Sequence, residues 1–394
     1  MRRTSRIVSI ALATTVAMGG LVLGSPASAA PSSAQTKVCA AKAGSAHCLA
    51  IRTTSIATGG ITPNAATPSG LSPSDLLSAY GLAAAAASNG STQTIAIVDA
   101  YNDPTAEADL AVYRSYFGLS ACTTANGCFK KVNQTGGTTY PATDGGWAEE
   151  ISLDLDMASA ICPNCKILLV EATSSTFANL GAAENYAAAH ATVVSNSYGG
   201  SDARDSTYGA YYNHPGVAIT VSAGDSGYGV EYPASSHYVT AVGGTTLTRA
   251  SGTTRGWTET AWSGSGSGCS AYNTALTSAP SSVTSCSRRA VADVSAVANP
   301  STGVSVYDST AYQGYVGWLT FGGTSVSAPI IAGVFALAGN AASIDNNYPY
   351  THSSSLYDVT SGSNGSCSTA KWCTATTGWD GPTGLGTPNG IGAF

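Results

Sequence analysis

The chain has 394 residues, only 10% of which are Asp, Glu, Lys or Arg, and a formal net charge of −6 at pH 7. This length suits one large domain or two ordinary ones. The acidic balance and the lack of a basic stripe in the sequence argue against a nucleic acid as partner.

The first thirty residues have the features of a secretory signal peptide. Three arginines within the first six residues precede an apolar run at 7–23, and small residues at 27–29 offer a cleavage site. A membrane anchor is the alternative. It is less favoured because Ser, Thr and Gly interrupt the apolar run and no positively charged stop-transfer residues follow it. We therefore expect a secreted, extracellular protein with no membrane association once residues 1–30 are removed.

Residues 31–73 are rich in Ala, Ser, Thr and Pro. This composition predicts an irregular short leader or propeptide, with one domain spanning 74–394.

From residue 74 onward, buried strands alternate with helices. We predict a short helix opening at 74, with further helices at 106–117, 147–158, 177–190 and 324–340, and strands at 94–99, 166–170, 193–197, 217–222 and 238–242. Residues 249–320 are predicted to form loops and edge strands. The alternation indicates an α/β fold with a doubly wound, mostly parallel sheet and helices on both faces. In such sheets, active sites form beyond the carboxyl ends of the strands.

The ten cysteines fall into five near-neighbour pairs. These are Cys39/Cys48, Cys122/Cys128, Cys162/Cys165, Cys269/Cys286 and Cys367/Cys373. An even number of cysteines in a secreted chain favours disulfides, although sequence leaves the connectivity open. A redox motif at Cys162-Pro-Asn-Cys165 is a weaker alternative, because the context is not thioredoxin-like.

A candidate nucleophile lies in Gly322-Gly323-Thr324-Ser325-Val326-Ser327-Ala328-Pro329. Ser325 would open a helix, where the dipole and free amides favour a developing negative charge. A serine in this position can also be an ordinary helix cap. The complete octet is more specific, and it resembles the serine motif of the subtilisin-like superfamily, which includes subtilisins and sedolisins.

A base for this serine is not evident among the histidines. The sequence has five histidines. None lies in a Gly-His-Gly-Thr-His-type segment, the segment in which subtilisins carry the histidine that serves as base, and we interpret all five as structural. Glu150 and Asp154 instead lie four residues apart, on one face of the predicted helix. Two close carboxyl groups can share a proton and act as an acid–base pair. A solvated acidic face is the alternative, and we expect solvation for neighbouring Glu149 and Asp156.

Four motifs in order make the resemblance more specific. The first is the Glu-x-x-x-Asp helix and the second is Ser222-Ala223-Gly224-Asp225-Ser226-Gly227. The third is the segment that follows, with Tyr232-Pro233-Ala234-Ser235-Ser236 and Val242-Gly243-Gly244-Thr245, and the fourth is the serine octet. Together these resemble the sedolisin family of serine-carboxyl peptidases over residues 72 to 390.

The resemblance implies a catalytic role for each of four residues. Ser325 would be the nucleophile, Glu150 the general base, Asp154 its partner and Asp225 the oxyanion-hole donor. An aspartate can donate a hydrogen bond to an oxyanion only when protonated. We therefore expect an acid-active serine endopeptidase acting on proteins or peptides, with best activity at roughly pH 3 to 5.

Other interpretations stay open at this stage. Asp99, at the end of a predicted strand, is a rival acid that we place at most in the surrounding proton network. A catalytically silent binding protein on the same fold is one alternative function. A neutral subtilisin-like protease is another, and the missing histidine segment argues against it.

The resemblance also implies one structural calcium ion in the C-terminal tail. Asp358 and Asp380 would supply carboxylate oxygens, and Val359, Thr376 and Gly378 would supply carbonyl oxygens, as hard cations prefer. Two aspartates in a glycine-rich tail are more commonly turn formers. Thr376 stands where sedolisins often carry glycine.

The chain departs from the family in two further respects. Residues 31–73 are too few for the large pro-domain with which sedolisins are usually made. Tyr198 stands where the family often has tryptophan.

We expect the protein to be a monomer.

Overall fold

The computed structural model describes residues 34–54 and 67–394, together with Met1. Apart from Met1, the predicted signal peptide at 1–30 lies outside these residues. Within them, no helix is both long and apolar enough to cross a membrane.

The described residues form nineteen strands and nine α-helices. The strands are β1 (Ala34–Lys37), β2 (His47–Cys48), β3 (Ile51–Thr54), β4 (Thr94–Ala100), β5 (Phe129–Asn133), β6 (Lys166–Ala172), β7 (Val193–Asn196), β8 (Tyr198–Ser201), β9 (Ala218–Ser222), β10 (Glu231–Tyr232), β11 (Thr240–Arg249), β12 (Trp257–Ala261), β13 (Gly268–Cys269), β14 (Ala290–Val291), β15 (Val294–Val297), β16 (Val304–Tyr312), β17 (Tyr315–Gly322), β18 (Leu356–Tyr357) and β19 (Thr387–Pro388). The helices are α1 (Pro73–Ala79), α2 (Ala83–Ser88), α3 (Ala106–Tyr116), α4 (Gly145–Ile161), α5 (Phe177–Ala188), α6 (Asp205–Tyr208), α7 (Ser281–Thr284), α8 (Thr324–Ala338) and α9 (Tyr348–Thr351).

The central sheet has eight strands and is mostly parallel. Its order is β12-β11-β9-β7-β4-β6-β5, with β15 pairing parallel to β11 and only β12 running antiparallel. Helices α4 and α8 pack against each other and against the sheet, whereas α5 packs against β4, β6 and β7. The predicted α/β architecture is therefore confirmed.

The central strands and helices are buried on all sides, which explains why their sequences are continuously apolar. β4 is buried from Ile95 to Ala100, and α4 is buried from Gly146 to Ile161. A parallel strand covered on both faces has no solvated side, so polar and apolar residues do not alternate along it. Any carboxyl group in these elements is thus held away from water.

The segment at 34–54 differs from the irregular structure predicted for it. β3 pairs antiparallel with β1 and β17, and β2 pairs antiparallel with β8. The short strands depend on partners distant in the sequence, which composition alone does not reveal. Whether residues 31–73 are a propeptide stays a prediction.

All ten cysteines form disulfides in the five near-neighbour pairs. Four of the five pairs close loops within the 67–394 body, and Cys39–Cys48 closes a loop within the N-terminal segment. Such short loops constrain the unfolded chain modestly.

Candidate active site

The candidate nucleophile opens α8. Gly323 has φ of +97° and immediately precedes the helix, a conformation that favours glycine. Ser325 is the second helical residue and is buried, and its hydroxyl donates to the Ser197 carbonyl at 3.4 Å. Its position in the first turn places it among backbone N–H groups that have no partner within the helix.

Pro329 links the helix sequence to the site. A proline inside a helix cannot donate to the carbonyl four residues earlier. Here that carbonyl belongs to Ser325, and it lies 3.4 Å from the Ser197 hydroxyl, whose shorter bond, of 2.7 Å, is to Asp154. The Ser-Ala-Pro ending of the octet thus leaves the backbone of Ser325, the candidate nucleophile, facing the loop between β7 and β8.

Helix α4 presents Glu150 and Asp154 to the same buried space. The helix begins after Asp144, whose side chain caps it by accepting from the N–H groups of Gly146 and Trp147. Asp154 Oδ1 accepts a 2.7 Å bond from the Ser197 hydroxyl. One face of the helix therefore carries both predicted carboxyl groups, as the four-residue spacing indicates.

Glu150 lies beside the Ser325 hydroxyl and the Ala50 backbone N–H, which both favour its ionised form. Among the described residues, neither oxygen of Glu150 has a partner of ordinary hydrogen-bond geometry. Burial, followed by the charge of Asp99, raises the pKa of Glu150 well above its usual value. A carboxyl group in this setting can exchange a proton with the adjacent serine.

Asp99 belongs to the same group of carboxyl side chains. It lies in β4, directly opposite Glu171 of β6. Burial and the charge of Glu171 raise the Asp99 pKa to about 8. Asp99 in turn raises the pKa of both Glu150 and Asp154, because all three are buried close together.

Asp225 reaches the site from the loop that follows β9. Its Oδ1 accepts from the Thr324 N–H at 2.7 Å and from the Thr324 hydroxyl at 2.8 Å. Among the described residues, Oδ2 has no hydrogen-bond partner and is buried. Burial raises the Asp225 pKa to about 7, although the two bonds from Thr324 oppose this. A protonated Oδ2 is free to donate to a substrate oxygen.

The sequence-based prediction for Glu149 and Asp156 is wrong. Both are buried, at 0% and 1% exposure. Glu149 forms an ion pair with buried Arg52, and Asp156 accepts a 3.0 Å bond from the Tyr307 N–H. The Arg52 partner lies far away in sequence, so helix periodicity could not reveal it.

Sequence reasoning also missed the role of Ser197. Its hydroxyl contacts Asp154, and its carbonyl accepts from Ser325. The available signal was its position at the carboxyl end of β7, where parallel sheets place functional side chains. In the parts of the chain that the structure describes, no histidine is a hydrogen-bond partner of Ser325.

The predicted calcium ligands come from one C-terminal loop. Asp358 Oδ2 accepts from the Gly378 N–H at 2.9 Å, and Asp380 Oδ2 accepts from the Thr376 N–H at 3.0 Å. Val359 directly follows Asp358 in the chain. Asp380 Oδ1 also accepts from the Thr383 N–H at 3.0 Å and from the Thr383 hydroxyl at 2.9 Å, so Asp358 is the less engaged of the two carboxylates. An oxygen-only set of this kind is the type that a hard cation such as calcium prefers.

The mostly parallel sheet, with a helix opened by Ser325 beyond it, defines a subtilisin-like protein. Residues 132–379 match the model of the Subtilase family, described as Peptidase_S8. Kumamolisin of Bacillus sp. (strain MN-32) is 31% identical over 77% of this chain, and sedolisin of Pseudomonas sp. (strain 101) is 35% identical over 43%.

The structural comparison agrees with the sequence comparison. A Pseudomonas sedolisin, a serine-carboxyl proteinase complexed with two molecules of pseudo-iodotyrostatin, has a TM-score of 0.66 and 27% identity, covering 82% of this chain and 96% of that one. The matches span 59% of kumamolisin and 33% of the curated sedolisin. The chain belongs to the subtilase family, and within it to the sedolisins.

Proposed function

We propose that this protein is a secreted serine-type endopeptidase that hydrolyses peptide bonds in proteins and peptides at acidic pH through an acyl-enzyme. The observation that carries the proposal is the meeting of Ser325, Glu150 and Asp225 at the N-terminal end of α8. The signal-like N-terminus and the five disulfides support secretion.

Each side chain has a distinct task in this proposal. Ionised Glu150 takes the proton of Ser325 Oγ as that oxygen attacks the substrate carbonyl carbon. Protonated Asp225 donates to the resulting oxyanion. Glu150 then gives its proton to the leaving amine, and it later activates the water that hydrolyses the ester. Asp154, held by Ser197, orients Glu150 and shares its proton.

The pH dependence follows from two opposing requirements. The carboxyl network around Glu150 must hold one negative charge, whereas Asp225 must keep its proton. Because burial raises the Asp225 pKa to about 7, the donor stays protonated through the acidic range. Burial also raises the pKa of Glu150, so only the fraction of molecules in which the network has lost one proton is active there. We expect a bell-shaped profile whose acid limb reports the coupled carboxyl groups and whose alkaline limb reports Asp225.

One calcium ion is part of the proposal. Asp358 and Asp380, with the carbonyl oxygens of Val359, Thr376 and Gly378, would hold it. Its contribution is to fix the C-terminal loop, and it takes no part in the chemistry.

The test is proteolysis of a denatured protein at roughly pH 2 to 8 by the processed wild type and by Ser325→Ala. Acid-dependent cleavage that disappears in the variant supports the proposal, and Glu150→Gln should then be equally inactive. A neutral optimum would favour the subtilisin-like alternative. No cleavage by folded, processed protein at any pH would favour the binding-protein alternative.

A further inference from the structure

Three buried aspartates from separate parts of the chain meet beside α3. Asp103 lies between β4 and α3, Asp109 lies in α3 and Asp308 lies in β16, and none of the three is more than 3% exposed. Each contributes a carboxylate oxygen, and these oxygens all lie within 4.8 Å of one another. Carboxyl groups this close together and this well buried must be neutralised, because an unpaired buried charge is costly.

No basic side chain neutralises this cluster of three aspartates. Among the described residues, no ion pair involves Asp103, Asp109 or Asp308. Lys131 pairs with Glu171 at 2.9 Å, and it contacts Asp103 only at the backbone carbonyl. The negative charge of the cluster has therefore to be balanced by bound protons or by a cation.

One carboxylate oxygen of the cluster has no hydrogen-bond partner. Asp308 is fully buried, and its Oδ1 accepts from the Thr310 N–H at 2.7 Å. Oδ2 is buried as well, and it has no partner in the described part of the chain. Burial, followed by the charge of Asp103, raises the pKa of Asp308 to about 9, so the protein alone compensates this charge poorly. Asp308 thus brings an unused, buried ligand atom to the cluster.

Two threonine hydroxyl groups add neutral oxygens between the carboxylates. Thr105 Oγ1 lies 2.6 Å from Asp109 Oδ2 and 3.1 Å from Asp103 Oδ1. Thr310 Oγ1 lies 2.8 Å from the Thr105 hydroxyl oxygen and 3.1 Å from Asp103 Oδ1. Two hydroxyl groups hold only two protons, so these four contacts cannot all be ordinary hydrogen bonds while the aspartates are ionised. A cation that contacts several of these oxygens would remove the shortfall.

The ligand types and the dimensions of the cluster fit calcium. Ca²⁺ binds about six to eight oxygens at about 2.3–2.6 Å, so ligands on opposite sides of the ion lie about 5 Å apart. The carboxylate oxygens of the cluster lie within a comparable 4.8 Å. Mg²⁺ needs shorter bonds and usually keeps several waters, so a buried set of protein oxygens favours calcium. An ion could enter past Thr105 and Thr310, which are both partly exposed.

We propose that this cluster of three aspartates binds a second calcium ion, with the hydroxyl groups of Thr105 and Thr310 as further ligands. The ion would be distinct from the one proposed for the C-terminal loop. It would join the turn after β4 to β16, which are distant in the sequence, and binding to the folded state alone would stabilise the fold. The proposal does not depend on the proposed peptidase function.

The experiment counts the calcium ions bound to the full chain. Ser325→Ala, which cannot digest itself, is freed of metal and dialysed against Ca²⁺ near neutral pH, because protons compete for the ligands in acid. Bound calcium is then measured per chain. We expect two ions in this parent and one after adding Asp358→Asn, which removes a C-terminal ligand. Adding Asp308→Asn to the parent should also leave one ion, and both substitutions together should leave none.

Matched variants separate loss of a ligand from loss of a buried charge. Glu184 is also fully buried and its oxygens also lack partners among the described residues, but it lies outside the cluster. Glu184→Gln should therefore keep both ions. Thr310→Val keeps all three aspartates and removes one hydroxyl ligand, so calcium affinity at this site should fall by about tenfold or more. Circular dichroism checks each fold, and if Asp308→Asn does not fold, Asp358→Asn and Thr310→Val decide.

Two results would overturn the second calcium site. If Asp358→Asn bound no calcium, the aspartate cluster would be balanced by protons alone. If folded Asp308→Asn bound as much calcium as the parent, any second ion would lie elsewhere. One ion that remains in Asp358→Asn, and that is lost with Asp308→Asn or weakened by Thr310→Val, supports the site whether or not the protein cleaves peptides.

Discussion

The Ser197 hydroxyl donates a 2.7 Å hydrogen bond to Asp154 Oδ1, and both residues are fully buried. This bond favours the ionised form of Asp154, against burial and the charges of Asp99 and Glu150, which raise its pKa well above the usual value. Ser197 thus stabilises a negative charge at one place in the carboxyl network, and we expect it to act on the proposed reaction through Asp154.

Ser197→Ala should lower kcat by about 10- to 100-fold. This range corresponds to the free energy that a hydrogen bond to a charged group usually contributes. Without the donor the Asp154 pKa rises further, so the acid limb of the pH–rate profile should move to higher pH. Ser195→Ala is the matched control, since Ser195 is also buried in β7 but is not bonded to Asp154. Identical pH profiles for the two variants would show that Ser197 has only a structural role.

Asp225→Asn should remove the alkaline limb of the profile. An asparagine can keep Oδ1 as acceptor for the Thr324 bonds and place an amide donor where Oδ2 lies. The amide does not titrate, so activity should persist as pH rises through about 7, the Asp225 pKa. Rates for a short peptide substrate across pH measure this.

The comparison variant for Asp225 is alanine, which has no donor at any pH. Asp225→Ala should lose about 10²- to 10³-fold in kcat throughout, as expected for removal of an oxyanion donor. If Asp225→Asn kept the wild-type alkaline limb, another group would be responsible for it.

The elements that carry the candidate site could be predicted from the sequence, because each has a local signal. The four-residue spacing places Glu150 and Asp154 on one helical face, and Gly323 marks the sharp entry into α8. The main strands were recognisable because burial on both faces makes them continuously apolar. These features depend on residues close together in the chain.

Features that depend on distant partners were not predictable in this way. Glu149 is buried because Arg52, almost a hundred residues earlier, neutralises it, and no helix pattern encodes that pairing. β2 is only two residues long and exists because β8 offers it a partner. Composition therefore described the 34–54 segment as irregular although it lies across the site.

Buried carboxyl groups should make the protein more stable in acid than at neutral pH. Burial raises the pKa of Glu184 to about 8 and that of Asp99 also to about 8. A raised pKa means that the folded state holds these protons more tightly than the unfolded chain. The resulting stabilisation is complete below the unfolded pKa of about 4 and is lost as pH rises through the folded values.

The melting temperature of Ser325→Ala, which avoids autolysis, should therefore fall steadily from about pH 4 to about pH 8. Adding Glu184→Gln removes one buried titrating group and should therefore flatten the decline in melting temperature. Each unit of pKa difference between the folded and unfolded states corresponds to about 1.4 kcal/mol in the free energy of unfolding. Glu107→Gln alters a partly exposed carboxyl group and should leave the slope steep. A melting temperature that rises toward pH 8 would contradict the assignment.

Calcium removal should lower stability through the C-terminal loop. Binding to the folded state alone contributes about 2.7 kcal/mol at a hundredfold excess over Kd, so a chelator should lower Tm by several degrees. Asp358→Asn can keep the bond from the Gly378 N–H while losing the carboxylate charge. Its Tm should lie below that of the wild type and respond to chelator less than the wild type does.

Asp345→Asn is the control for this substitution, because Asp345 is also exposed and also accepts one backbone bond, from Asn347 at 2.9 Å. It should respond to chelator as the wild type does, which separates loss of a ligand from loss of a surface charge. Equal Tm values for wild-type protein with calcium and with chelator would rule out a stabilising ion. Asp358 and Asp380 would then be turn residues that only accept local hydrogen bonds, the alternative that their observed contacts also fit.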